Sequence, residues 1–159
     1  MNYDEMMNMK EVEFGNMPPQ AFLLGLLSAF DNRFQASADA FFGEVTWKQF
    51  FAVICINLCK EPPTINDLAD VMGSSHQNVK QILLKLERKG FVATRPDDRD
   101  KRKQRIFVTD KCRAFVEQND KDGEQSSRII GRIFEGVSEQ DLNITIQTIM
   151  KMERNLTKL

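Results

Sequence analysis

The chain has 159 residues, of which 42% are hydrophobic and 28% are charged, a composition typical of one folded domain rather than of a disordered segment. No uninterrupted apolar run approaches the roughly 18 residues needed to cross a bilayer, and the acidic start does not resemble a signal peptide. We therefore expect a cytoplasmic protein without a membrane partner. Three cysteines favour reduced thiols over a disulfide framework, and a single histidine leaves no zinc-finger spacing.

The formal net charge is −1, from 22 Lys and Arg against 23 Asp and Glu, and taken over the whole chain this near-balance argues against a nucleic-acid partner. An anionic partner, however, experiences the local field and not the sum over the chain. Between Lys80 and Arg113 lie twelve cations and five anions, a balance of +7, whereas the rest of the chain has ten cations and eighteen anions, a balance of −8. The charge pattern therefore allows a nucleic-acid interface in one segment.

The first third of the chain is predicted to be helical. Residues 1–17 show no sustained period and are expected to form a mobile arm before a single domain over 18–159. Apolar residues at helical spacing predict a helix over about 20–42. A capping box at Thr46 begins a second helix, one face of which carries Trp47, Phe50, Phe51, Ile54 and Leu58.

Two further helices follow at short spacing. Thr64 begins a short third helix, and Gly73 ends it. The run Ser74 to Gln77 predicts another capping box, which opens a fourth helix over 74–89. Its buried stripe is expected to consist of Val79, Ile82, Leu83 and Leu86.

A charged hairpin comes next in the chain. Two β-prone runs, 91–95 and 105–109, are joined by the strongly charged segment 96–104. A helical pattern returns at Asp110, breaks near Gly136 and resumes at Ser138. The predicted fold is thus mainly α with a small β wing.

Helices three and four have the spacing of a helix-turn-helix. Ala69 lies four residues before Gly73 and allows close approach of the helices, and Val79 lies six residues after it and packs the second helix against the first. An ordinary helical hairpin could show the same spacing. The basic hairpin that follows immediately favours a winged helix.

The exposed side of the fourth helix is expected to face DNA. Its residues are polar, amide-bearing or cationic, and they can bond to bases or phosphates. The alternative is an ordinary solvated face, but such faces usually mix both charge signs. The candidate DNA-binding residues of this helix are Ser74, Ser75, His76, Gln77, Asn78, Lys80, Gln81 and Lys85.

The hairpin loop 97–104 is too charged to be buried, so it is either a solvated loop or a probe of the DNA minor groove. Arginine suits narrow minor grooves because their negative potential is enhanced. A carboxylate two residues earlier can orient the guanidinium through a charge-assisted hydrogen bond, as Asp100 can for Arg102. The candidate wing residues are Arg99, Asp100, Lys101, Arg102 and Lys103.

The run Asp100-Lys-Arg102 followed by 106–111 resembles the D-x-R … L-T-x-x-G pattern of the MarR-type (multiple-antibiotic-resistance) regulators over about residues 20–158. Val108 replaces the usual leucine, and Cys112 stands at the usual glycine. The resemblance implies a winged helix-turn-helix over about 46–110. It also implies homodimerisation through helices 20–42 and 111–158, and a small, often aromatic effector.

Two groups of residues admit both a packing role and a functional role. Aromatic residues at helical spacing usually form core, but the resemblance makes Phe30, Trp47 and Phe51 candidates for an effector pocket. Cys55 and Cys59 are expected to pack as small hydrophobes, although a redox switch is the alternative. Cys112 lies between Lys111 and Arg113 and is the stronger candidate for a lowered thiol pKa.

Together, these features and the resemblance predict a homodimeric winged-helix repressor that binds a pseudopalindromic operator in double-stranded DNA, and the resemblance implies that it responds to a ligand. The alternative is a winged-helix module for protein contacts without an operator. No enzymatic motif is present in the sequence, so we expect neither catalysis nor a cofactor or metal ion.

Overall fold

The computed structural model describes residues 16–42, 44–121 and 130–158. The elements in chain order are α1 (Pro19–Phe42), α2 (Trp47–Leu58), α3 (Ile65–Met72), α4 (His76–Arg88), β1 (Val92–Pro96), β2 (Gln104–Val108), α5 (Asp110–Lys121) and α6 (Glu139–Leu156). The prediction of a mainly helical chain with a small β wing is confirmed. The expected N-terminal arm, 1–17, lies outside the described residues except for 16 and 17. The chain divides into two compact units between Thr109 and Asp110.

Side-chain caps set the beginnings of α2 and α3. The Thr46 hydroxyl accepts a hydrogen bond from the amide of Gln49 at 3.3 Å, and Gln49 Oε1 accepts one from the amide of Thr46 at 3.4 Å. Thr64 and Asp67 form the same reciprocal pair at the start of α3. Both boxes occupy amides that would otherwise lack partners in the first turn. The predicted box at Thr46 is confirmed, and Thr64 begins α3 as expected.

The turn between α3 and α4 has one difference from expectation. Gly73 ends α3 with a φ of 58°, in the left-handed region that favours glycine. The predicted capping box at Ser74 is wrong by one residue, because the cap of α4 is Ser75, whose Oγ accepts from the amide of Asn78 at 3.2 Å. The helix therefore covers 76–88 rather than 74–89.

The core of the first unit lies where α2, α3, α4 and the hairpin meet. All four predicted stripe residues of α4 are buried, as are Leu68, Phe91 and Ile106. In α2 the buried apolar residues are Ala52, Val53, Cys55 and Ile56, on the side away from the predicted aromatic face. Leu58, which was placed on that aromatic face, is 73% exposed.

The two strands form an antiparallel hairpin that is closed at its base. Val92 pairs with Val108 and Pro96 pairs with Gln104, so both strands begin and end close to the predicted runs. The Thr109 hydroxyl donates to the carbonyl oxygen of Gly90 at 2.7 Å. The amide of Ile106 donates to Pro63 O at 2.9 Å, which joins the hairpin to the segment before α3.

The described residues of the second unit include α5, helical residues 130–133 and α6. Gly136 has a φ of 77° between the last two, and Ser138 caps α6 by accepting from the amide of Asp141 at 3.1 Å. None of the 18 residues of α6 is buried. Among the described residues of both units, no helix is long and apolar enough to cross a membrane.

Candidate nucleic-acid interface

The outer face of α4 is mostly polar. The buried stripe occupies one side of the helix, and seven of the eight candidate residues are exposed while Ser74 is half-buried. The face contains no carboxylate between 74 and 86. The outward row also includes Leu84, which is 37% exposed and was not assigned a role from the sequence. The arrangement presents amides, hydroxyls, two ammonium groups and one apolar side chain to a common side.

The carboxylate of α4 is turned to the hairpin. Glu87 is half-buried and accepts a hydrogen bond from the Thr94 hydroxyl on β1. The Glu87 carboxylate is therefore engaged by a hydrogen bond within the first unit, in the last turn of α4. The first turns of α4 consequently present only neutral and cationic side chains to solvent.

The tip of the hairpin holds an arginine in a fixed relation to a carboxylate. Arg102 Nε donates to Asp100 Oδ1 at 3.0 Å and its NH2 group donates to Oδ2 at 3.3 Å. The Arg102 side chain is 91% exposed, whereas that of Asp100 is 30% exposed. These bonds hold the pKa of the Asp100 carboxyl below its usual value, because they favour the ionised form. The orienting contact expected from the spacing is therefore present.

The base of the loop is more buried than its charge suggests. The Asp97 side chain is only 11% exposed, which contradicts the expectation that all of 97–104 is solvated. Its Oδ1 accepts from the amides of Arg99 and Asp100, both at 2.8 Å, and its Oδ2 accepts from Arg105 Nε at 2.5 Å. The Arg105 bond and these two amides hold the pKa of Asp97 well below its usual range. A charged group can be buried here because its oxygens are hydrogen-bonded.

Arg105 was not singled out from the sequence. Its NH1 group donates to Pro62 O at 2.9 Å and lies 3.9 Å from Asp67 Oδ2, so one guanidinium contacts both the wing and the segment that begins α3. Opposite charges at 97 and 105, on the two arms of a hairpin, could have indicated the first contact. Nothing in the local sequence indicates the contact with Pro62, because it depends on how the hairpin packs.

The aromatic residues of α1 and α2 form a contiguous cluster. Phe30 and Phe34 stack with centroids 6.1 Å apart, and Phe34 meets Trp47 edge to face at 4.7 Å. Trp47 in turn stacks on Phe51 at 6.1 Å. Phe30 is 52% exposed and the other three are half-buried, so the cluster is not part of the closed core.

The structure corrects one expectation about the cysteines. Cys112 is buried, and desolvation raises the pKa of its thiol despite the opposing charge of Arg113. The predicted lowering of that pKa is therefore wrong. Burial also raises the pKa of Cys55, with a further contribution from Cys59. The Cys59 thiol donates to the carbonyl oxygen of Cys55 at 3.2 Å, within the helix.

The central part of the chain matches a known protein family, and the fold matches a solved structure. Residues 56–103, from the end of α2 through most of the wing, match the model of the MarR family. A MarR protein from Peptoclostridium difficile superposes with a TM-score of 0.76 at 17% identity, covering 93% of this chain and 95% of that one.

Two further solved structures extend the likeness. S. aureus MepR, in a complex with DNA, superposes with a TM-score of 0.67 at 17% identity, covering 89% of this chain and 99% of that one. Bordetella bronchiseptica BpsR, whose DNA binding is regulated by 6-hydroxynicotinic acid, gives 0.65 at 19% identity, covering 82% and 98%. At these identities the superpositions establish the fold. The family match over residues 56–103 and the superpositions together show that the chain is similar to MarR-family proteins, with a winged helix-turn-helix at its centre.

Proposed function

We propose that this protein is a homodimeric transcriptional repressor that binds double-stranded DNA and responds to a small aromatic effector. The observation that carries the proposal is the exposed face of α4, which is free of carboxylates from 74 to 86 and lies directly before a wing with an exposed arginine. A solvated helix without a nucleic-acid partner has no need to exclude one charge sign. We infer a binding protein and no enzymatic role.

Each part of the surface suits a different element of DNA. The side chains of Gln77 and Gln81 can bond bidentately to adenine, and Leu84 offers an apolar contact for a thymine methyl group. Lys80 and Lys85 can neutralise phosphates on either side of the major groove. Arg102, oriented by Asp100, can enter the minor groove. MepR, which shares the fold, is solved with DNA bound.

A second copy of the chain is the proposed partner of α6. This helix has no buried residue, and Ile144, Ile146, Ile149 and Met150 are between 37% and 56% exposed. Exposed apolar patches of this kind mark interfaces. A twofold dimer presents two copies of α4 about 34 Å apart, one turn of B-DNA, and predicts a pseudopalindromic operator.

The aromatic cluster Phe30, Phe34, Trp47 and Phe51 is the proposed effector site. Its rings are only partly covered within the chain, so a planar ligand can stack on them and gain apolar burial. Effector control through an aromatic acid is described for BpsR, which has the same fold. A Trp47 fluorescence titration with substituted phenols and aromatic acids tests this site, with Phe30→Ala as the variant that weakens quenching.

The decisive experiment is a duplex titration by fluorescence anisotropy at two salt concentrations. We expect affinity to fall at least about a thousandfold between roughly 50 and 200 mM salt if six or more phosphates are contacted. Lys80→Ala and Arg102→Ala should each weaken binding. Lys60→Ala, which removes an exposed cation from the segment between α2 and α3, is the matched control and should leave binding unchanged.

If neither Lys80→Ala nor Arg102→Ala changes duplex affinity, the DNA proposal fails. A protein-binding role then explains the exposed face of α4 better. The dimer is tested separately by light scattering after size-exclusion chromatography. A chain that elutes as a monomer at micromolar concentration contradicts the proposed twofold arrangement.

A further inference from the structure

We propose that Arg105 is a positioning residue for DNA recognition: it fixes the direction of the wing relative to the helix-turn-helix, and so the place at which Arg102 meets the DNA. This inference rests on the proposed DNA-binding function. It adds a residue that lies outside both candidate contact surfaces and acts through another side chain.

The Arg105 guanidinium joins two separate segments of the chain. Its Nε atom donates to Asp97 Oδ2 at 2.5 Å, while its NH1 group donates to Pro62 O at 2.9 Å. Asp97 begins the wing loop and Pro62 lies just before α3, so the same planar group bonds to two segments that are far apart in sequence. A guanidinium can do this because its donors point in fixed, divergent directions.

Asp97 holds the wing loop through several hydrogen bonds. Besides Arg105, it accepts hydrogen bonds from the amides of Arg99 and Asp100, and its own amide donates to Lys103 O at 2.9 Å. The conformation of the loop is therefore organised around this carboxylate. Asp100 then orients Arg102 through two further bonds. A continuous series of contacts runs from Pro62 through Arg105 and Asp97 to the tip.

Arg105 and Asp97 are much less exposed than Arg102. The Arg105 side chain is 25% exposed and Asp97 is 11% exposed, against 91% for Arg102. The inner pair is therefore shielded from a DNA surface that the outer arginine can reach. Arg105 also lies 3.9 Å from Asp67, the capping carboxylate of α3, so the chain of contacts ends on the helix-turn-helix itself.

The hairpin supplies a matched control. Arg95 is the cross-strand partner of Arg105 in the strand register, carries the same charge, and lies over the ring of Phe107 at 5.1 Å. Removing Arg95 deletes an equal charge from the same rung without touching Asp97 or Pro62. A purely electrostatic effect of Arg105 would be reproduced by Arg95→Ala, whereas a positioning effect would not.

The test is a set of double-mutant cycles on a duplex of about 30 base pairs, long enough for two half-sites and recovered from a random pool with the wild-type protein. We expect Arg105→Ala to lower affinity about tenfold in the wild-type background, and less than about twofold in the Arg102→Ala background. Combined with Lys80→Ala, its effect should be additive. Equal losses in both backgrounds would overturn the proposal, because Arg105 would then act independently of Arg102.

A second variant separates charge from geometry. Arg105→Lys keeps the charge, but one ammonium on a flexible stem does not reproduce the divergent bonds to Asp97 and Pro62. We expect it to lose affinity nearly as much as Arg105→Ala, and full affinity in this variant would overturn the inference.

A measurement without DNA tests the positioning role of Arg105 separately from the proposed DNA-binding function. In Arg105→Ala, nitrogen-15 relaxation should show increased amide motion in 98–103, with Arg95→Ala unchanged and thermal unfolding of both variants cooperative. Unchanged amide motion would contradict the positioning role even where DNA binds. Failure of the wild-type protein to bind any selected duplex would instead overturn the proposed function.

Discussion

The Arg102 guanidinium makes a two-point contact with Asp100, at 3.0 and 3.3 Å, while remaining 91% exposed. An exposed ion pair of this kind adds little to stability because water screens it. Its consequence is geometric, since it restricts the rotamers of a long side chain at the tip of the wing. The pair is therefore better understood as part of a binding surface than as part of the fold.

Replacing Asp100 by Asn should weaken DNA binding although it makes the protein more positive. The loss of the charge-assisted contact frees Arg102, and ordering it again costs affinity by about two- to fivefold. Arg102→Ala should cost more, about tenfold or above. Duplex titration at fixed salt measures both.

The matched control for this prediction is Asp98→Asn. The Asp98 carboxylate is fully exposed and lies 3.7 Å from Lys101 Nζ, so its removal raises the net charge equally without affecting Arg102. Electrostatics alone predicts that both substitutions tighten binding. Opposite signs for Asp98→Asn and Asp100→Asn would support the orienting role, and equal tightening would refute it.

The elements of the first unit were predictable because their signals are local. Val79, Ile82, Leu83 and Leu86 repeat at helical spacing and are all buried, and the box at Thr46 is formed by residues three apart. The same locality explains the small error at Ser74. Two adjacent serines offer two caps of nearly equal quality, and only the packed turn after Gly73 selects Ser75.

Gly73 and Gly25 should respond to alanine in opposite directions. Gly73 has a φ of 58°, so Gly73→Ala should destabilise the fold by about 1 kcal/mol even though no atom lies within 4 Å of the added Cβ. Gly25 lies inside α1 with equally open space, and alanine there should stabilise by about 0.5 to 1 kcal/mol. Urea unfolding at one protein concentration measures both, and a common sign would contradict the backbone argument.

The thiols should be slow to react in the native protein. Burial raises the pKa of Cys55 and Cys112, so little thiolate exists near neutral pH and access is restricted as well. We expect Ellman's reagent to modify the half-buried Cys59 first, with the other two reacting only as the protein unfolds. Loss of duplex affinity after mild peroxide treatment, reversed by a thiol reductant and abolished by Cys112→Ser, would contradict this expectation.

Contacts between segments that are distant in the chain could not be predicted from the sequence. Lys111 and Arg113 beside Cys112 suggest an electropositive thiol, but burial of the sulfur has the larger effect on its pKa. Likewise, the charges in 97–104 indicate a solvated loop, yet Asp97 is nearly buried because Arg105 and two amides satisfy its oxygens. Burial depends on packing partners from elsewhere in the chain. The residue types of a local segment do not indicate which partners these are.

The Asp97 carboxyl should contribute to stability in a way that depends on pH. Its pKa in the folded protein lies below the value of about 3.9 for an unfolded aspartate, so its contribution is complete above that value and is lost as pH falls toward the folded pKa. Asp97→Asn removes the ionisable group but retains the size and an acceptor oxygen. We expect this variant to be less stable than wild type at pH 7, with the difference shrinking between about pH 5 and pH 3. Urea midpoints across that pH range measure the effect. Asp98→Asn is the control, and its stability should follow that of wild type. A difference between wild type and Asp97→Asn that stays constant with pH would show that the Asp97 charge does not stabilise the base of the wing.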